Sequence, residues 1–170
     1  SIRRQRQMCI RDRLGVELSY QRDFGFIAPA LKSIGFYGTY TYTHSRVEDF
    51  NFEGRENEEG LSMPGSPAHT ANASLYFEKA GLNIRVSYNF ASDFIDEMGE
   101  STFYDRYYDK VNYMDANASY TFGKKIKTTF YAEANNLLNQ PLRYYQGTKD
   151  RTMQAEYYGV KVNAGVKINF

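Results

Sequence analysis

Tryptophan is absent from the 170 residues, cysteine occurs once, and the net charge is only +1. Each shortage excludes something. The single Cys9 cannot close an internal disulfide framework, so the redox compartment is not readable from it. A balance near zero gives no net field to draw nucleic acid or anionic lipid, and no nucleic-acid partner is expected. A membrane-spanning helix needs roughly 18 apolar residues in a row. The longest apolar stretch here, 24–31, is broken by Gly25 and Pro29. An initiator Met and a signal-peptide pattern are also missing from the start, so a targeting segment is expected upstream and the chain reads as a fragment.

What is abundant is aromatic: 16% of the chain, all Tyr and Phe. Such rings suit β-strands and the interfaces of membranes, where one edge meets lipid and the other water. The negative mean hydropathy does not weigh against a membrane protein, because a barrel strand turns only every second residue to lipid. Residues 1–13 (SIRRQRQMCIRDR) stand apart, with five Arg, the only Cys and no alternation. They resemble translated adapter or vector sequence and are set aside as a non-native leader; a genuine basic arm is the alternative.

From Leu14 onward the chain alternates with a period of two, the mark of strands with two unlike faces. At the end of the chain Tyr158, Val160, Val162, Ala164, Val166, Ile168 and Phe170 share one face, while Gly159, Lys161, Asn163, Gly165, Lys167 and Asn169 share the other. Six earlier segments obey the same rule, around 14–21, 33–42, 70–77, 82–90, 114–122 and 129–135. Seven strands and no helix are expected, hence an all-β, antiparallel fold.

A soluble sheet with one wet face also alternates. Three features favour a membrane barrel. Several segments reach ten residues or more, against about 5–6 for ordinary strands; at about 3.3 Å per residue and a tilt near 40°, eleven residues rise roughly 28 Å, the height of an outer-membrane apolar band. Charge is the second: Glu17, Arg85, Asp115, Glu133, Lys161 and Lys167 all fall on the polar face. Reversing the faces would turn three cations toward lipid at about 2–4 kcal/mol each, so the apolar face is expected outward and the polar face toward the lumen. Third, the connections alternate long and short (25–32, 43–67, 79–81, 91–110, 123–126, 136–156), as in barrels with short periplasmic turns and long extracellular loops. The C-terminus is then periplasmic. An odd number of strands leaves raw edges, so further strands are expected on the N-terminal side.

Several stretches carry a family resemblance. Met63-Pro64-Gly65-Ser66-Pro67 resembles the "LPG-x-P" strand opening of TonB-dependent outer-membrane receptors, and Tyr40-Thr41-Tyr42-Thr43 is similar to their "NYTYT" strand end. The run EANNLLNQPLRYYQG (133–147) resembles their penultimate strand and last loop, and Tyr157-Tyr158-Gly159 with a final Phe170 resembles their ending. Val160-Lys161 departs from the pattern, where relatives often carry Arg. The resemblance covers about residues 14–170. It implies the last seven strands of a 22-stranded barrel in a bacterial outer membrane, in contact with lipid and lipopolysaccharide. In the full protein an N-terminal plug, absent here along with the TonB box, is pulled by the energised TonB complex to import a small-molecule or glycan ligand. Ferric siderophores, cobalamin and oligosaccharides are all family substrates, and the NNLLNQPLRYYQG ending leans toward the carbohydrate branch. A passive porin or structural barrel is the alternative. The last strand, with Tyr158, Val166, Ile168 and Phe170, resembles the signal engaged by the barrel-assembly machinery through strand pairing; Phe170 in a periplasmic aromatic girdle is an equal reading.

Candidate ligand contacts are Tyr104, Arg106 and Tyr107 in the second long loop and Tyr144, Tyr145 and Arg151 in the third, where aromatic faces beside charges suit stacking on sugars or chelate rings. Loop packing explains the same residues. Glu48, Asp49, Glu53, Glu56, Glu58 and Glu59 form an acid-rich loop without EF-hand spacing, read as solvated, with cation-bridged lipopolysaccharide as the alternative. His44 and His69 are isolated, so no metal site is expected. Asp115 and Glu133 could pair across neighbouring strands as carboxylates suited to acid–base work, yet polar residues are ordinary in a lumen. No nucleophile elbow or phosphate loop occurs; no catalytic residue, cofactor or enzymatic activity is expected.

Overall fold

A computed structural model describes residues 10–48, 55, 58 and 60–170. Its main body is one antiparallel sheet of seven strands: β1 (Ile10–Asp23), β2 (Ile34–Glu48), β3 (His69–Lys79), β4 (Leu82–Ala91), β7 (Val111–Phe122), β8 (Lys127–Asn135) and β11 (Lys161–Asn169), each beside the next. These are the seven strands the alternation predicts. β1 and β11 lie at opposite edges and do not pair, so the sheet is open. β1 starts at Ile10, inside the segment set aside from the sequence, and pairs through Arg13↔Ser45 to Ile10↔Glu48.

The two faces separate as the period of two requires. Leu14, Val16, Leu18, Leu75, Ile84, Phe130, Val162, Val166 and Ile168 are all exposed. Nothing packs on this apolar face among the described residues. Soluble monomers rarely expose a contiguous apolar face of this kind, and it matches the lipid-facing wall of a membrane barrel. Its partner face carries cross-strand hydrogen bonds between small polar groups: Asn72 Nδ2 donates to Thr39 Oγ1 (3.1 Å), Ser74 and Ser87 share a bond of 2.9 Å, and Thr121 and Thr129 one of 2.8 Å. Two tyrosines on the polar face lie flat over the glycine opposite. A Cβ on Gly35 would stand 2.3 Å from the Tyr76 ring, and one on Gly165 would stand 2.5 Å from Tyr131 Oη. Each glycine leaves room for a ring that covers the bare backbone.

The short connections are tight. β3 and β4 join through Ala80 and Gly81, both at positive φ (50° and 84°), the two-residue reversal that matches strand twist. A Cβ on Gly81 would meet Thr121 O at 2.2 Å, which reserves the place for glycine. The β1–β2 connection holds two 3-10 turns, Phe24–Phe26 and Pro29–Leu31, the first capped by Asp23 Oδ1 accepting from Gly25 N at 2.8 Å.

The long connections depart from the expectation of irregular loops. Within them lie four short strands, β5 (Phe94–Glu97), β6 (Arg106–Tyr108), β9 (Leu142–Gln146) and β10 (Thr152–Glu156), which form a second sheet in the order β10-β9-β6-β5. Its central pairing joins two different loops, Tyr107↔Tyr145 and Tyr108↔Tyr144. Strands this short show no usable periodicity, and their pairing is long-range, so sequence pattern could not find them. β2 also continues to Glu48, into the first long loop. Among the described residues the buried hydrophobic side chains, Val47, Ile95 and Tyr145, all sit in this loop layer rather than in the wall.

Candidate functional site

Two regions can receive a solute: a groove on the polar face and the loop layer above it. The groove is a cavity of about 510 Å³ lined by Asn72, Ser74, Ser87, Asp115, Asn117 and Glu133 among others. A second cavity of about 400 Å³ shares Asn89, Asp115 and Asn135 with it and adds Tyr113, Tyr158 and Lys161. Together they present amides, hydroxyls, two carboxylates and one ammonium, a lining that holds a polar solute by hydrogen bonds. The two carboxylates are not cross-strand partners. Asp115 stands opposite Ser87, whereas Glu133 stands opposite Asn117. One Asp115 oxygen is already taken, accepting from Asn136 N at 2.8 Å.

Asn136 is the pivot where the chain leaves β8 for the third long loop. It holds φ +58°, a left-handed conformation that Asn tolerates better than most residues. Its Oδ1 accepts from Gln140 N (2.8 Å), and its Nδ2 donates to Gln140 O (3.2 Å) and Gly159 O (3.3 Å). Gln140 in turn accepts from Asn112 N (3.2 Å) and donates to Lys110 O (3.3 Å). One amide pair thus ties β7, the third loop and the approach to β11.

The loop layer is locked by charge. Arg55, from the first long loop, gives Asp105 of the second a two-point pair (Nη1–Oδ1 2.5 Å, Nη2–Oδ2 3.0 Å), and neither side chain reaches solvent. Arg55 also donates to Gly99 O at 3.0 Å and to Glu58 Oε2 at 2.5 Å. The Asp105 carbonyl accepts from Gly147 N of the third loop at 2.9 Å, so all three loops meet at this residue. The hydrogen bonding that Arg55 donates to Asp105 leads the causes that hold its guanidinium above its ordinary value. The sequence shows Asp105 only as one of the charges among the second loop's aromatics and does not single out Arg55; a lone Arg between Glu53 and Glu56 was the available signal.

The six residues singled out as ligand contacts all lie in this layer. Tyr107 and Tyr145 stack at 5.0 Å with planes 4° apart, and Tyr145 is only 3% exposed. Tyr145 Oη donates to Asp93 Oδ2 at 2.5 Å, and Lys149 Nζ stands 3.0 Å from the same oxygen. Burial pushes the Asp93 carboxyl up, but these two partners outweigh it and hold it below the usual range. Burial and the bond to Asp93 push Tyr145 well above the ordinary phenol value. Arg106 is committed to Asp96 (2.8 and 2.5 Å) and Glu97 (2.9 Å), with its guanidinium 5.4 Å from the Tyr144 ring. Tyr104 is exposed beside Phe103, whose ring carries the Arg151 guanidinium at 3.7 Å. Tyr104 therefore faces solvent, whereas Tyr145 holds the layer together.

A family model described as TonB dependent receptor-like, beta-barrel matches residues 12–137. The chain belongs to this family. TonB-dependent receptor barrels act in the bacterial outer membrane as receptors and transporters, with TonB and a ligand as partners in general terms. No curated protein and no solved structure matches the chain. In this receptor barrel the Met63–Pro67 motif ends the first long loop, where Gly65 N donates to Ile95 O at 2.8 Å and joins that loop to the second. The run from Glu133 to Gly147 supplies the Asn136 pivot and β9; residues 138–170 lie beyond the matched span. Val166 and Ile168 are exposed on the apolar face of β11, Tyr158 precedes that strand and donates to Glu156, and Phe170 is 99% exposed just past its end.

Asp49, Glu53, Glu56 and Glu59 of the acid-rich loop, like Cys9, lie outside the described residues; Glu58 pairs with Arg55. His69 is bound by Tyr40 Oη at 2.8 Å, and His44 is exposed. Among the described residues no group of three or more His, Cys, Asp or Glu is placed to hold a metal ion.

Proposed function

We propose that this chain forms wall and cell-surface loops of a receptor that imports a scarce nutrient (a ferric siderophore, cobalamin or an oligosaccharide) with energy from the TonB complex acting on an N-terminal plug. The long loops then face the medium and the C-terminus the periplasm; the wall contacts lipid and lipopolysaccharide, β11 is engaged by the barrel-assembly machinery, and no reaction is catalysed. The observation that carries this reading is the separation of faces: exposed apolar rows on one side, a hydrogen-bonding groove on the other. The interlocked loops stand over that groove as an entry layer, and the amide-rich lining suits a polar cargo.

The test is uptake by cells carrying the intact gene, under iron limitation and on glycans, with and without TonB. Uptake that disappears with TonB supports the receptor. Uptake that persists without TonB or a proton gradient overturns it in favour of a passive porin. Orientation is tested by thiol labelling of intact cells in a Cys9→Ser background: Thr148→Cys, at an exposed position of the third loop, should react with an impermeant reagent and Lys125→Cys should not.

A further inference from the structure

The overall charge of +1 conceals a strong separation between the two ends of the sheet. By sequence, the long connections 43–67, 91–110 and 136–156 hold fourteen acidic and seven basic residues. The turns at the other end, 22–33, 78–82 and 123–127, hold six basic and two acidic.

These three turns form one continuous rim. Glu78 N donates to Ser33 O at 2.8 Å, joining the first turn to the second, and Thr121 N donates to Gly81 O at 2.9 Å, joining the second to the third. The charges on the rim fall on different faces. Arg22 is paired with Phe36 in register and Lys79 with Leu82, so both occupy apolar-face positions. Lys32, Lys124 and Lys125 stand on the turns themselves, and the sixth cation, Lys127, sits opposite Asn169 on the polar face. Of the two acids, Asp23 caps Gly25 N and Glu78 sits opposite Asn83 on the polar face. All six cations are exposed, and among the described residues none is ion-paired. Directly beside them, exposed Phe26, Ile27, Phe122 and Ile126 continue the apolar wall to its edge, and the Arg22 guanidinium lies 4.1 Å over the Phe26 ring.

We propose that this rim is a binding surface for the phosphate headgroups of anionic glycerophospholipids, with Arg22, Lys32, Lys79, Lys124 and Lys125 as the headgroup ligands. Cations placed where an apolar wall ends can bury their stems against acyl chains and present their charge at phosphate depth. Two of the six cations, Arg22 and Lys79, take strand positions whose neighbours are apolar, which a merely solvated rim has no reason to do, and neither acid does. The inference rests on the outer-membrane reading, with the turn end in the phospholipid leaflet, and adds a lipid preference to it.

The test uses the intact receptor inserted into bilayers of phosphatidylcholine, alone or mixed with phosphatidylglycerol, lipid A or both, and then released for native mass spectrometry of retained lipid. Insertion is checked by heat-modifiable gel mobility. Phosphatidylglycerol should be retained over phosphatidylcholine, less so at high salt. The Lys79→Gln/Lys124→Gln/Lys125→Gln variant should lose this preference by about fivefold per removed cation at low salt, whereas Lys161→Gln, on the polar face, should not. Equal retention of the two lipids, unchanged preference in the triple variant, or preference for lipid A over phosphatidylglycerol would each overturn the inference while leaving the barrel intact. Failure to enter any bilayer would overturn the membrane reading itself, and this inference with it.

Discussion

Arg55 and Asp105, 50 residues apart in the chain, meet in a two-point ion pair that is sealed from solvent. Two charges held in that state need every remaining polar atom satisfied, or their desolvation outweighs their attraction. Gly99 completes the arrangement from both sides, its N donating to Asp105 Oδ1 at 2.9 Å and its O accepting from Arg55 at 3.0 Å. The pair therefore fixes the first long loop onto the second at a single geometry.

Removing one partner should unfasten this layer without touching the wall. Arg55→Met leaves the Asp105 carboxylate buried and unpaired, at about 3–5 kcal/mol. Limited proteolysis within 91–110 should accelerate, while heat-modifiable gel mobility stays that of the folded wall. Adding Asp105→Leu to the same chain should recover part of the protection, because the orphaned charge is gone.

Neighbouring residues of β4 should respond oppositely to the same substitution. Val86 lies on the exposed apolar face and Ser87 lines the groove. Val86→Arg should cost about 2–4 kcal/mol in a bilayer, and Ser87→Arg much less. Denaturant unfolding in lipid vesicles measures both; equal costs would mean that the faces are wrongly assigned.

Asn136→Ala should loosen the start of the third loop. It removes the side-chain bonds to Gln140 and Gly159 and leaves a Cβ-bearing residue at φ +58° without their support, together about 1–3 kcal/mol. Hydrogen exchange should rise at residues 137–141 and remain unchanged in β3 and β4. Asn136→Gly, which relieves the backbone but not the lost bonds, should fall between the two.

Alkali should open the loop layer before the wall. Burial, followed by the influence of Tyr113, raises Tyr108 from 10.0 to about 12. A phenol whose folded value is raised contributes stability that is complete below pH 10.0 and is lost as the pH climbs through about 12. Tyr145 is raised for the same first reason and adds in the same direction. Tyrosinate absorbance should therefore lag the titration of free tyrosine, and protease sensitivity of the loops should appear as that lag ends. Asp93 behaves in the other sense: its depressed value keeps the Tyr145 and Lys149 contacts intact until the pH falls below the usual carboxylate range.

The wall was legible in the sequence because its environment acts on every second residue. The run from Leu82 to Phe90 needs no distant partner to declare its faces, since a lipid-exposed Arg85 or Asn89 would be unfavourable wherever the strand lay. Length and loop segregation followed from the same cause. The loop layer was not legible, because its strands are three to five residues long and pair across different loops. Tyr144 and Tyr145 show the limit: adjacent and identical in the sequence, they are separated by the structure into a partly exposed ring beside Arg106 and a buried one beneath Tyr107.

The sequence by itself determined the all-β class, the seven wall strands and the side that meets lipid, since a period of two needs no knowledge of which segments touch. The tertiary structure alone decided that three loops close on Arg55 and Asp105, that Asn136 anchors the third loop, and that the three short turns join into one rim. Those depend on residues brought together across long separations, where local pattern carries no signal and only packing and charge pairing select the contact.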